Sequence, residues 1–334
     1  MPKTKIVIDS DGVADDVRAI SLALQHPDVE VNKQGARFGF ICAIKVLAII
    51  SVSGCVSTEQ AIPLYKGSAK PLIASGRTDK EPVFFGADGL GDSPSEWPEV
   101  LPDDPKAADS NEHAASALIR LFSAHKGEIQ LVCIGPLTNV ALALKLEPEF
   151  AKWAQKLVVM GGNVHAMGNV RVSSTSEFNF GHDPEAAHIV IKEMECEVVL
   201  IPWETFLQES SKKSVDFHAH LSLDVSLAKF FELATRTGRR ILEKAGQQFA
   251  FCDEIAVGVA IDAERMIVSS RKLKGAVDGQ MALAWMDGQS DDLDCPMREL
   301  TFVMEYNVQL LDRMVFDAIE HSATRRAISN SLFV

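Results

Sequence analysis

The stretch KIVIDSDGVADDVRAISLAL, residues 5–24, decides the fold of this chain. Its short run of β-branched apolar residues at 6–8 predicts a buried parallel strand, which stops at Asp9. Val17, Ile20 and Leu24 then recur at helical spacing, so a helix is predicted soon after the strand. In open α/β sheets, ligands bind at the carboxyl ends of the strands, which is where this junction lies.

Four carboxylates, those of Asp9, Asp11, Asp15 and Asp16, crowd the junction between this strand and this helix. Carboxylates this close repel one another unless a positive charge lies among them, and calcium and magnesium take carboxylate oxygens as ligands. The junction therefore predicts a site for a hard cation. The competing interpretation is a solvated loop with an acidic helix start, since Asp near a helix N-terminus complements the macrodipole.

The composition argues against several classes of protein. A chain of 334 residues with 47% hydrophobic residues can bury a sizeable core, and we expect a single domain over 1–334. The formal net charge of −13 argues against a nucleic-acid partner, because nucleic acids are bound through Lys and Arg. No apolar run predicts a membrane helix, and the N-terminus lacks the apolar core of a signal peptide. The scattered cysteines form no CxxC pair, so we expect a reduced, cytoplasmic protein.

Strand and helix patterns alternate along the rest of the chain. Further strands are predicted at 47–53, 71–74, 129–134, 157–160, 197–202 and 302–306. Helices are predicted at 57–66, 112–125, from 140 onward, and at 224–246, 254–262 and 309–320, so that the last part of the chain is mainly helical. Residues 32–46 interrupt a short natural connection and are interpreted as an insertion. The alternation predicts an α/β fold with a largely parallel, mixed central sheet flanked by helices.

Polar motifs recur just after the predicted strands. They are, in chain order, DGLG at 88–91, GPLTN at 135–139, MGG at 160–162, EFN at 177–179, DPEAA at 183–187, and Asp253 near the start of a late helix. Together with the acidic junction, this ordered set resembles the inosine–uridine preferring nucleoside N-ribohydrolase family over almost the whole chain outside 32–46. The resemblance implies calcium-dependent hydrolysis of the N-glycosidic bond of uridine-type or inosine-type ribonucleosides. It also implies a homodimer or homotetramer.

The resemblance assigns a calcium ion (Ca2+) to the acidic junction. The carboxylates of Asp11, Asp16 and Asp253 and the backbone carbonyl of Thr138 would hold it. Asp11 would also be the general base. Such a role is physically reasonable, since a cation lowers the pKa of bound water and a nearby carboxylate can take its proton.

The ribose pocket implied by the resemblance consists of the packing residue Met160 and the hydrogen-bonding residues Asp15, Asn169, Glu177, Asn179 and Asp253. Asn169 and Glu177 would hold the 5′ hydroxyl, and the other three the 2′ and 3′ hydroxyls. An acidic pocket stabilises the oxocarbenium character that develops as a glycosidic bond breaks. Simpler structural roles are also open, namely core packing for Met160 and capping for Asn179 and Asp253.

The sequence departs from the family pattern before Gly12 and at Cys55, and at two positions linked to the leaving base. Cys252 and Phe85 stand where the family often has histidines that are linked to protonation of the leaving base. A thiol with a free pKa of about 8.5 could serve as the acid. A packed, inert thiol is the favoured interpretation of Cys252, because free cysteines are often buried. The preferred base is not predicted.

Two other functions fit parts of the sequence. The replaced histidines are consistent with a ribose-binding relative that keeps calcium and has lost turnover. The segment IDSDGV at 8–13 also resembles the first motif of haloacid-dehalogenase-type phosphatases, in which the first Asp is a nucleophile. In that case the GPLTN and EFN motifs would have no role.

Overall fold

The computed structural model describes residues 4–26, 29, 40–42, 64–73, 84–97, 112–169, 175–212, 214–276, 284–285 and 298–322. Over these residues the predicted alternation of strands and helices is confirmed. None of the helices in these ranges combines the length and the apolar character needed to cross a lipid bilayer. A single domain over 1–334 stays a prediction.

The described strands form one mixed sheet with β1 near its centre. They are β1 (Lys5–Ser10), β2 (Phe40–Cys42), β3 (Leu64–Lys66), β4 (Ile129–Cys133), β5 (Lys156–Met160), β6 (Glu197–Ile201), β7 (Ile267–Ala276), β8 (Ala284–Trp285) and β9 (Arg298–Tyr306). Their order across the sheet is β3-β2-β1-β4-β5-β6-β9-β7-β8. Neighbours from β3 to β9 are parallel, whereas β7 pairs antiparallel with β9 and β8. The predicted largely parallel, mixed sheet is therefore confirmed.

Helices cover both faces of this sheet. They are α1 (Ala14–Gln25), α2 (Ala114–Ala124), α3 (Thr138–Leu146), α4 (Phe178–His182), α5 (Pro184–Glu193), α6 (Trp203–Lys212), α7 (Ser226–Ala234), α8 (Arg236–Lys244), α9 (Asp253–Ile261), α10 (Ala263–Met266) and α11 (Val308–Glu320). Ile6 and Ile8 of β1 pack in the core that contains α1, α7, α9 and α11. Val7, which points to the opposite face, packs in the core that contains α2, α3 and α5. The sheet thus lies between two helical layers, and its strand ends are left free to carry a site.

Three details of the predicted secondary structure are wrong. Residues 64–66, predicted as the end of a helix, form strand β3, which is too short to show a period of its own. Residues 71–73 do not form the predicted strand, because the N–H of Leu72 donates to Oδ2 of Asp183 at 2.9 Å instead of to a neighbouring strand. Strand β7 lies in the part that was predicted to be mainly helical.

The predicted insertion at 32–46 is only partly visible. Strand β2 falls inside it and pairs with β1, so that Phe40 lies opposite Ile8. The strand predicted at 47–53 lies outside the described residues. That residues 32–46 are an insertion therefore stays a prediction. Part of this segment contributes strand β2 to the sheet.

Candidate active site

A tight turn joins β1 to α1 and orients the first acids. Oγ of Ser10 donates to Oδ1 of Asp16 at 2.6 Å and accepts the N–H of Gly12 at 3.1 Å. The N–H of Asp11 donates to the same Oδ1 at 3.1 Å. Gly12 has a φ of +80°, a left-handed value that glycine adopts without steric cost. Two donors therefore fix one oxygen of Asp16, while its buried Oδ2 has no hydrogen-bond partner among the described residues.

The loop after β4 approaches this turn closely. A Cβ on Gly135 would lie 2.7 Å from the backbone nitrogen of Asp11, which is closer than real Cβ contacts. Thr138, three residues after Gly135, is the first residue of α3. Oγ1 of Thr138 donates to Oδ2 of Asp183 at 2.6 Å, so the hydroxyl is already engaged. Ligation of a cation by the Thr138 carbonyl stays a prediction.

Three carboxylates from two helices converge at the carboxyl edge of the sheet. Asp15 and Asp16 lie in the first turn of α1, and Asp253 is the first residue of α9. Each offers an oxygen within 4.8 Å of the others. The fold thus brings the predicted ligands Asp16 and Asp253 together, and Asp15, predicted to bind ribose, belongs to the same group.

Asp11 completes this group from the turn. Its backbone N–H donates to Asp16, and the charges of Asp11 and Asp253 act on each other. Its Oδ1 is buried and has no partner among the described residues. Burial, and then the charges of Asp15 and Glu177, raise the pKa of Asp11 to about 6. We call Asp11, Asp15, Asp16 and Asp253 the acid cluster.

The other members of the acid cluster are perturbed in the same direction. Burial raises the pKa of Asp15, Asp16 and Asp253 well above the usual range of Asp, and the charges of neighbouring acids add to it. A hard cation stabilises the ionised forms that burial and repulsion disfavour. The unpartnered oxygens of Asp11 and Asp16 supply donors of the kind such an ion prefers. The chemistry of the acid cluster therefore fits a divalent cation.

Asp9 is bonded to other elements. Nδ2 of Asn139 in α3 donates to Oδ1 of Asp9 at 2.9 Å, and Oδ1 of Asn139 accepts the N–H of Ser68 at 2.9 Å. Burial raises the pKa of Asp9 to about 7. This acid of the junction thus links β1 to α3 and to the segment after β3.

A second group of predicted residues meets after β5. Oε2 of Glu177 accepts the N–H of Gly162 at 2.8 Å, and its Oε1 accepts the N–H of Asn179 at 2.8 Å. Nδ2 of Asn179 donates to the carbonyl of Met160 at 3.1 Å. Burial raises the pKa of Glu177 to about 7, although backbone N–H groups oppose the shift. The charge of Glu177 also raises the pKa of Asp11, so Glu177 and its neighbours lie near the acid cluster. Its contact with ribose stays a prediction.

Asn169 lies beside the residue that precedes Glu177. It lies exposed in the loop between β5 and α4, and its backbone N–H donates to the carbonyl of Ser176 at 3.1 Å. The described residues do not join its side chain to Glu177, its predicted partner at the 5′ hydroxyl. That assignment stays a prediction as well.

Cys252 and Phe85 occupy two different environments. Cys252 precedes α9, is 5% exposed, and has a pKa raised well above its usual value, first by burial and then by Asp253. A thiol held neutral in this way supports the packed interpretation. The ring of Phe85 lies 5.9 Å from that of Phe249 and 4.8 Å from that of Phe84. These three rings form an aromatic group at the glycine-rich loop.

Sequence reasoning missed one feature beside the acid cluster. Arg18 of α1 and Glu254 of α9 form a buried ion pair. The available signal was a single charged residue within each of two otherwise apolar helical segments, VRAISLAL at 17–24 and EIAVGVAI at 254–261. Periodicity alone does not pair two residues that lie this far apart in the chain.

Comparisons with known proteins indicate the family of this chain. The family model described as "Inosine-uridine preferring nucleoside hydrolase" matches residues 6–311. A "Probable uridine nucleosidase 1" of Oryza sativa subsp. japonica is 35% identical over 188 residues, which are 56% of this chain and 55% of that protein. An "Inosine-uridine preferring nucleoside hydrolase" of Leishmania major is 34% identical over 194 residues, 58% of each chain. The match thus spans a little over half the length of these curated relatives.

A solved structure extends the likeness over the whole fold. The structure titled "Inosine-Guanosine Nucleoside Hydrolase (IG-NH)" superposes with a TM-score of 0.75 at 25% identity, covering 95% of this chain and 99% of the other. The sheet and its helical layers are therefore shared with a protein whose title describes cleavage of nucleosides.

Proposed function

Because the chain belongs to the family of inosine–uridine preferring nucleoside hydrolases, we propose that it hydrolyses the N-glycosidic bond of uridine-type or inosine-type ribonucleosides in a calcium-dependent reaction. The products would be ribose and the free base. The observation that carries the proposal is the acid cluster, in which Asp15, Asp16 and Asp253 approach within 4.8 Å at the carboxyl edge of a mainly parallel sheet. That edge is where α/β folds bind ligands.

The chain supplies a suitable donor set for calcium. We assign the ion to Asp11, Asp16, Asp253 and the carbonyl of Thr138, all-oxygen donors of the kind calcium prefers. When bound, calcium would lower the pKa of a water molecule and so make its deprotonation by a nearby carboxylate easier. The unpartnered buried oxygens of Asp11 and Asp16 support this assignment.

Asp11 is the general base in this proposal. It lies at the carboxyl end of β1, and its Oδ1 is free of hydrogen bonds within the described residues. In the metal-free fold, burial raises the pKa of Asp11 to about 6; a cation beside it would favour the ionised carboxylate, which is the form that takes a proton from water. Deprotonation of the attacking water by Asp11 would generate the nucleophile.

The neighbouring residues hold the ribose and stabilise its developing charge. We assign the 2′ and 3′ hydroxyls to Asp15, Asn179 and Asp253. As the bond to the base breaks, the sugar becomes positively charged, and preorganised carboxylates nearby stabilise that charge more than the neutral substrate. The low accessibility of Asp253 strengthens this effect, since a buried charge is poorly screened by water.

The far side of the sugar is assigned to the group after β5. Glu177 and Asn169 would hold the 5′ hydroxyl, and Met160 would pack on the ring. Glu177 is oriented for this by the backbone N–H groups that its carboxyl accepts. We assign Cys252 no part in protonating the base, because burial and neighbouring acids raise the pKa of its thiol well above the usual value and make it a poor proton donor.

A ribose-release assay tests the proposal. Uridine and inosine are incubated with the protein, with calcium or with a chelator, and free ribose is measured as reducing sugar. Ribose release that the chelator abolishes and that calcium restores is expected. Calcium binding without ribose release would indicate a ribose-binding relative that has lost turnover. Release of phosphate from a phosphorylated substrate would indicate a phosphatase of the haloacid-dehalogenase type.

The assembly and location of the protein are further parts of the proposal. We infer a cytoplasmic homodimer or homotetramer with no nucleic-acid or membrane partner, consistent with the net charge of −13. Light scattering coupled to size-exclusion chromatography tests the oligomeric state, and a purely monomeric mass would contradict it.

A further inference from the structure

Arg18 and Glu254 form an ion pair that is closed off from solvent. Their side chains are 1% and 0% exposed, and Nε of Arg18 donates to Oε1 of Glu254. The guanidinium lies over the rings of Phe249 and Phe251, 4.8 Å and 5.2 Å from their centres. The second oxygen of Glu254 accepts the N–H of Cys252 at 2.9 Å. Both charged groups are thus held in a fixed geometry by further contacts.

The pair joins the two helices that supply the acid cluster. Arg18 lies two residues after Asp16 on α1, and Glu254 directly follows Asp253 on α9. The two helices pack against each other along their length. The positive charge of Arg18 also acts on Asp15, whose pKa it lowers against the opposing effect of burial. The pair therefore sits where it can fix both the spacing and the charge balance of the acid cluster.

Stability alone does not account for this arrangement. A buried ion pair loses so much hydration that apolar residues of similar size often give an equally stable or more stable protein. α1 and α9 already bury apolar faces against each other, with Ile20 and Ile255 in the same core. A role in positioning the acid cluster explains why charges are placed here.

We propose that the Arg18–Glu254 pair is a positioning device for the cation site: it locks α1 to α9 so that Asp16 and Asp253 stand at the separation that one cation requires. The inference rests on the proposed function only in taking the acid cluster as a calcium site. Residues that orient metal ligands without touching the metal typically contribute about 10–100-fold to metal affinity. Loss of the pair should therefore weaken calcium binding and leave the fold intact.

The test replaces both charges at once, so that no unpaired buried charge remains. The variant Arg18→Met/Glu254→Gln keeps the side-chain volumes and retains an oxygen that accepts the N–H of Cys252. Calcium binding to the metal-stripped protein is measured by calorimetry, and thermal unfolding is measured without metal. We expect calcium affinity to fall about 10–100-fold with little change in the unfolding temperature. With saturating calcium, kcat for uridine should return close to the wild-type value.

A matched control removes an exposed pair between two other helices. Lys145 of α3 and Glu193 of α5 form such a pair, with side chains 51% and 36% exposed. Lys145→Met/Glu193→Gln should leave calcium affinity unchanged, since exposed pairs contribute little and this one is bonded to none of the cluster acids.

A second variant keeps the proposal testable if the double variant does not fold. Arg18→Lys retains the charge but loses the planar fork that Glu254 and the rings hold. We expect it to fold and to bind calcium about 3–10-fold more weakly, a partial rescue. Wild-type calcium affinity in a folded double variant, or in Arg18→Lys, would overturn the positioning role and leave the proposed function standing. A wild-type protein that binds no calcium would instead overturn the cation site itself, and the positioning role with it.

Discussion

Replacing Asp11 by asparagine should stabilise the metal-free protein while it removes activity. Burial and neighbouring acids raise the pKa of Asp11 from 3.8 to about 6. A group whose pKa is higher in the folded than in the unfolded state contributes stability at low pH, which is lost as the pH rises through the folded pKa. Asparagine carries no charge, so the variant does not suffer this loss.

The size of the effect follows from that pKa difference. At ~1.4 kcal/mol per pKa unit, ionising Asp11 in the metal-free fold costs up to about 3 kcal/mol. Because Asp11 is partly accessible, solvent screens part of this cost. We therefore expect the Asp11→Asn variant to gain about 1–2 kcal/mol in unfolding free energy near pH 7.5, and almost nothing near pH 4.

Activity should change in the opposite direction. An asparagine oxygen can still face a cation, but the amide takes no proton from water. General base catalysis typically contributes about 10²–10⁴-fold, so kcat for uridine should fall by that factor. A more stable but inactive variant would show that the ionised acid cluster lowers the stability of the fold and is required for activity.

Urea unfolding of the metal-stripped proteins at the two pH values, together with ribose release in the presence of calcium, measures both effects. The control is Asp224→Asn, because Asp224 is exposed and pairs with Lys229 at the surface. It should alter neither quantity appreciably. The reasoning fails if Asp11→Asn is no more stable than the wild type near pH 7.5, or if its kcat falls less than tenfold.

Three further predictions concern single side chains. Asp16→Ala should sharply reduce calcium binding in calorimetry, and undiminished binding would remove Asp16 from the assigned ligands. Cys252→Ser should slow uridine hydrolysis less than tenfold, a barrier increase under ~1.4 kcal/mol, because the thiol is buried and has a raised pKa. The substrate p-nitrophenyl riboside needs no proton on its leaving group. A much larger loss of rate on uridine, with this substrate still cleaved, would make Cys252 the acid that protonates the base. Gly135→Ala should lower kcat at least about tenfold, since its Cβ would lie 2.7 Å from the nitrogen of Asp11. The control is Gly127→Ala. A Cβ at Gly127 would meet open space, but the φ of +73° is unfavourable for alanine, so the variant should lose about 1 kcal/mol of stability and keep its full activity.

The central strands and their acids were predictable because their signals are local. The apolar run at 6–8 is buried on both faces of the sheet, as an uninterrupted run of this kind predicts. Since parallel strands end at one edge, residues after separate strands, such as Asp11 and Thr138, were expected to come together. In the structure, the loop that leads to Thr138 meets the turn after β1, with Gly135 against Asp11.

The features that were missed depend on partners far along the chain. Strand β7 carries Ser, Arg and Lys on largely exposed positions and is held by its antiparallel pairing with β9, which no local pattern reveals. The Arg18–Glu254 pair joins residues 236 positions apart. A charged residue within an apolar helical segment suggests that a partner exists, but only the packing of α1 on α9 identifies it.

Asp183 has a consequence for how new substrate preferences could evolve from this fold. Its Oδ2 accepts from Thr138 and from the N–H of Leu72, and its Oδ1 accepts the N–H of Ala186 at the start of α5. One substitution there would disturb three segments at once, so in a mutant library selected on a new nucleobase we expect Asp183 to resist replacement. The side chain of Phe85 has no polar atom, so its replacement loses ring contacts with Phe84 and Phe249 but breaks no hydrogen bond between segments. If the proposed function holds, we therefore expect selection for a different base to change the aromatic group before it changes Asp183.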